Sequence, residues 1–80
     1  GAMALAVRPV EGSQGLYLIT AAEPVTLVHV LDMGDGVVRT ERGNDRQVRI
    51  DLGVLPAGLY ACHVRGSDGR MQVVRLAHVR

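Results

Sequence analysis

A chain of 80 residues has room for one domain and no second one. Its apolar content of 48%, almost all aliphatic, with no Trp or Phe and two Tyr, supports a single packed core and excludes a disordered tail. Nine basic residues, all Arg, against eight acidic ones leave a formal charge of +1, which excludes the strongly basic footprint of a nucleic-acid binder.

Gly1-Ala2-Met3 reads as an expression scar ahead of a fragment cut from a longer protein, and 4–80 as one domain. The start carries no basic region followed by a continuous apolar segment, so no secretory signal is present in these residues. No stretch approaches the roughly eighteen consecutive apolar residues of a membrane span. The single cysteine, Cys62, excludes an internal disulfide and a cysteine-only metal site.

In chain order, turn signals fall at Glu11-Gly12-Ser13, Ala22-Glu23-Pro24, Gly34-Asp35-Gly36, Gly43-Asn44-Asp45, Leu55-Pro56-Ala57-Gly58 and Gly66-Ser67-Asp68-Gly69. The segments between them are rich in Val, Ile, Leu, Thr and Tyr. Turns spaced by about 8–12 residues predict an all-β, immunoglobulin-like antiparallel sandwich. The spacing predicts seven strands, over 4–10, 15–20, 25–31, 36–42, 46–52, 58–65 and 70–79. Residues 1–14 are the least patterned and include the end of any linker.

Alternation gives three of these strands a face. Val48, Ile50 and Leu52 point inward on the fifth, and Tyr60, Cys62 and Val64 on the sixth. On the seventh, Val74 and Leu76 fit the core and leave Met71 and Val73 on the outer face. Asp35-Gly36 and Asp68-Gly69 are the two hairpin signals, expected to form tight turns with positive φ at both positions.

Chemistry is hard to find. Cys62 and His63 are neighbours on a strand, so their side chains project to opposite faces and make no nucleophile–base pair. His29, His63 and His78 sit on three separate strands without metal-ligand spacing. Asp32, Asp35, Asn44, Asp45 and Asp51 lack the one-three-five spacing of a calcium loop, and Asp beside Gly has its own reasons to occupy turns. The reading is of a non-enzyme with no catalytic residue, no metal ligand and no cofactor.

One stretch carries more. Val48-Arg49-Ile50-Asp51-Leu52-Gly53-Val54-Leu55-Pro56-Ala57-Gly58-Leu59-Tyr60 resembles the best-marked motif of the C-terminal sorting domains of type IX secretion cargo. Downstream, Ser67-Asp68-Gly69-Arg70 is similar to that family's polar hairpin turn, and Val73-Val74-Arg75-Leu76 to its apolar and basic final strand. Upstream, Val28-His29-Val30-Leu31-Asp32-Met33 resembles the strand leading into its Gly-basic turn. The resemblance spans about 25–80. It departs from the pattern at Gly34-Asp35-Gly36, which has no base beside the glycine, and in having only Arg8-Pro9 where the family begins with Asn-Pro.

The resemblance implies a domain that is itself the signal, with Leu55, Pro56, Gly58, Tyr60, Gly69, Arg70, Val73, Val74, Arg75 and Leu76 as recognition residues. It implies a cargo protein that crosses the periplasm and is moved through the outer membrane of a member of the Bacteroidetes, to remain on the cell surface or be released. The implied partners are the type IX translocon and a sortase-like signal peptidase. The last strand would serve as an edge for strand addition or for pairing with a second copy. The competing reading is a non-catalytic immunoglobulin-like structural or adhesion module of a larger secreted protein. With no Trp and two Tyr, the chain is poorly equipped to stack on sugars.

Overall fold

The computed structural model describes residues 4–79, so the tripeptide read as an expression scar and the basic Arg80 lie outside the described residues. Among the described residues the fold is all-β: five strands, β1 (Leu5–Pro9), β2 (Leu16–Leu31), β3 (Val37–Asp51), β4 (Gly58–Gly66) and β5 (Met71–His78), form one curled antiparallel sheet.

The expectation of seven separate strands is corrected to five. The segments expected over 15–20 and 25–31 are one strand, β2, and those over 36–42 and 46–52 are one strand, β3. Ala22-Glu23-Pro24 and Gly43-Asn44-Asp45 bend the chain without ending its ladder. Between Thr20 and Val25, and again between Val25 and Leu27, the pairing of β2 with β3 shifts register. Such bulges leave extra residues unpaired and turn the strand sharply, and they also accommodate Pro24, which has no N–H to give to a ladder.

The bulges have a second effect. Tyr17, Ile19 and Val25 face the core from odd positions, whereas Val28 and Val30 face it from even ones. An extra residue in a period-two pattern exchanges the faces, and the bend keeps the inward set inward.

Strand β2 holds the molecule together. Its first half pairs with β1, through Leu5 opposite Ala21 and Pro9 opposite Tyr17, and its second half pairs with β4. Strand β3 runs along the opposite flank of both halves. Strand β5 pairs with β4 and touches β1 where the sheet curls round. Most of β3 is exposed and charged, with Arg39, Glu41, Arg42, Asp45, Arg46 and Arg49 along it, a composition that discourages stray edge pairing.

The inner face encloses one core of Tyr17, Ile19, Val25, Val28, Val30, Ile50, Leu52, Tyr60, Cys62, Val64 and Leu76. The inward faces expected for 46–52, 58–65 and 70–79 are those found, with Val48 and Val74 half-buried at the margin. His78 joins this core at 2% exposure.

Both hairpin turns are wider than expected. The loops are three residues long, Met33-Gly34-Asp35 and Ser67-Asp68-Gly69. Each is closed by an amide of its third residue donating to the carbonyl of Asp32 (3.1 Å) or Gly66 (2.9 Å). Only the third residue takes a positive φ, 64° at Asp35 and 85° at Gly69, which is the pattern of a type I turn completed by a left-handed residue.

Candidate functional site

Asp51, inside the stretch that resembles the sorting motif, accepts the Gly53 amide on Oδ1 at 2.9 Å and so starts the turn out of β3. Leu52, fully buried, donates its amide to the Gly15 carbonyl at 2.7 Å, and the Leu55 amide returns to the Leu52 carbonyl at 2.9 Å. Leu55 packs against the core from the outside. The chain then enters β4 through Gly58, whose φ of 153° is one that other residues rarely adopt.

Tyr60 closes this corner. Its ring is buried at 7% exposure, and its hydroxyl donates to the Pro56 carbonyl at 2.6 Å. One side chain thereby anchors the corner to the core and satisfies a turn carbonyl.

Facing the corner across a groove of about 470 Å³ are the β2–β3 turn, through Asp32, Met33 and Gly34, and the start of β3, through Val38. A neighbouring hollow of about 280 Å³ extends the surface over Asp35, Ala61 and Arg75. Of the residues lining it, Met33 and Leu59 are exposed at 76% and 55%. Asp32 shapes its own turn: its Oδ1 accepts the amides of Gly34 at 3.0 Å and Gly36 at 2.9 Å.

The ten residues singled out in the sequence do not form one patch. Leu55, Pro56, Gly58, Tyr60 and Arg75 gather around the groove and its extension. Gly69 and Arg70 lie at the opposite end of the β4–β5 hairpin, since Gly58 is opposite His78 and Arg65 is opposite Met71. Asp68 holds Arg70 there, accepting its amide at 2.9 Å and pairing with its guanidinium at 3.5 Å. Between the two ends, Val73 and Arg75 point outward while Val74 and Leu76 point into the core. Leu55, Tyr60, Val74 and Leu76 thus belong to the core or its margin, Pro56, Gly58, Gly69 and Arg70 to turns, and Val73 and Arg75 to the outer face.

Burial pushes the Cys62 thiol up from 9.0 to about 11, because the thiolate would lose its hydration. Among the described residues, no group of three or more His, Cys, Asp or Glu side chains converges on one point, and no helix is long and apolar enough to cross a membrane.

Two features escaped the sequence reading. His78 is buried between the two tyrosines, with ring centroids 5.7 Å from Tyr17 and 6.2 Å from Tyr60, and its Nδ1 is 3.0 Å from the Tyr17 hydroxyl. The parity that placed Val74 and Leu76 inward places His78 inward as well. The other is the approach of Gly15 to Gly53, so close that a Cβ on Gly15 would sit 2.5 Å from the Gly53 Cα. No local signal marks that contact, because the two residues belong to different turns. No protein-family model matches the chain, and no curated protein matches it in sequence.

Proposed function

We propose that this domain is a C-terminal sorting signal of the type IX secretion kind, a folded address read at the outer membrane and not an enzyme. In this reading the curled sheet is a small immunoglobulin-like sandwich, its two layers joined by the bent β2 and β3. The Tyr60–Pro56 bond supports that reading, since a tyrosine hydroxyl bonded to backbone a few residues upstream is a recurrent corner of immunoglobulin-like sandwiches.

The observation that carries the functional proposal is the split of β5. Leu76 and His78 complete the core, while Met71 and Val73 are each 48% exposed and Arg75 stands beside them on the same outer face. A strand that faces two ways offers a partner an apolar and basic row fixed by the fold behind it. The translocon would read this row and the Leu55–Tyr60 corner while the cargo is in the periplasm. A sortase-like peptidase would act afterwards, leaving the cargo at the cell surface or free.

Deleting 71–80 is a poor test, because it also removes core residues. A better one fuses 4–80 to a periplasmic reporter in a type IX-competent bacterium and compares it with a Met71→Ser, Val73→Ser, Arg75→Ser triple variant. The parent fusion should reach the surface. The variant should melt within a few degrees of the parent yet stay in the periplasm. A parent fusion that never leaves the periplasm defeats the proposal.

A second reading, a structural module packed against a neighbouring domain, is favoured by one observation. The outer face of β2 and β4 carries apolar residues beside His29, His63 and Arg65, with Leu27 and Leu31 half-buried and Leu59 exposed. It predicts that the parent fusion stays where the reporter alone stays.

A further inference from the structure

His29 lies directly opposite His63 in the ladder between β2 and β4. Each is flanked by fully buried residues, Val28 and Val30 on one strand and Cys62 and Val64 on the other, so both imidazoles project to the outer face. Directly opposed residues of an antiparallel pair have Cβ atoms about 4.5–5.5 Å apart. Two imidazoles on such a base can turn one nitrogen each toward a shared point. Both side chains are half-buried and thus reachable from solvent, and the same row continues to Thr40 on β3 and Val73 on β5.

We infer that His29 and His63 form a two-imidazole site for one divalent transition-metal ion, with water filling the remaining positions. Imidazole suits copper, nickel and zinc, whereas calcium and magnesium require oxygen donors. With two protein ligands the site is weak, and affinity follows the order in which copper leads and nickel and zinc come after it. The bound ion would bridge the central strand to the C-terminal hairpin. Because the unfolded chain does not hold the two rings together, binding would raise the melting temperature by mass action. This inference is independent of the sorting role.

The test titrates the domain with NiCl2 and ZnCl2 alone, following heat and the ring resonances of the three histidines. The expected result is one ion per chain, with the His29 and His63 rings shifting and the His78 ring unmoved. His29→Gln and His63→Gln should each weaken binding by about tenfold or more, and the double variant should bind no better than either. Unchanged affinity in the single variants overturns the site. So does a response to MgCl2 equal to that to NiCl2, an unmoved pair of rings, or no binding at millimolar metal. The ring shifts are read on the unsubstituted protein, so the test stands even if a variant folds poorly.

Discussion

The hydroxyl of Tyr17 and Nδ1 of His78 are 3.0 Å apart in the buried interior, joining the start of β2 to the end of β5 across 61 residues of chain. The other ring nitrogen of His78, Nε2, is buried without a hydrogen-bond partner. Tyr17→Phe therefore leaves the imidazole with no partner at either nitrogen, at a cost of about 1–3 kcal/mol in urea unfolding. Pairing it with His78→Leu removes both polar groups, so the double variant should lose clearly less than the sum of the two single losses. Additive losses would show that the two groups do not interact.

Gly15 and Gly69 have nearly the same φ, 88° and 85°, but different surroundings. A Cβ at Gly69 meets nothing within 4 Å, whereas one at Gly15 meets the Gly53 backbone at 2.5 Å. Gly69→Ala should cost about 1–2 kcal/mol, the strain of a left-handed conformation alone. Gly15→Ala adds overpacking against a backbone that has no rotamer to yield, typically about 1–3 kcal/mol more. Equal losses in thermal melts would show that the turn opens to take the methyl group.

Cys62 makes the fold sensitive to alkali. Its folded-state pKa is raised, from 9.0 to about 11, so its contribution to stability is fully present below pH 9 and is lost as pH rises toward 11. Urea midpoints of the parent and of Cys62→Ala should converge over that window. At pH 8 the native thiol should react with a thiol reagent at least about 100-fold more slowly than the unfolded one. Fast native labelling would mean that the β4 interior opens readily.

Tyr60 separates ring from hydroxyl. Tyr60→Ala should destabilise by about 3–5 kcal/mol. Tyr60→Phe keeps the packing and loses the bond to the Pro56 carbonyl, at about 0.5–1.5 kcal/mol. A melt of the alanine variant matching the parent would place the ring outside the core.

Much of this fold was legible because period-two alternation is a local property. Tyr60, Cys62 and Val64, then Val74 and Leu76, announce their face without knowledge of their neighbours. What stayed hidden depends on which strands meet. Pro24 and Gly43 carry turn chemistry, yet partners on β2 and β3 hold the ladder together past them, so two expected breaks are bends. The opposition of His29 to His63 follows from the β2–β4 register, which no short window contains. The groove has the same origin, since Met33 meets the Leu55–Tyr60 corner only after the sheet curls.

The bond between Tyr17 and His78 also sets an order in time. A chain emerging from its N-terminal end can lay down β1, β2 and β3 as soon as Asp51 is free, because those pairings close over short distances. The seam beside Tyr17 has to wait for residue 78, and until then an aromatic ring and the wall of the core stand open to water. Non-local closures of this kind are slow, so the half-made sheet is the form exposed longest to chaperones, proteases and other copies of itself.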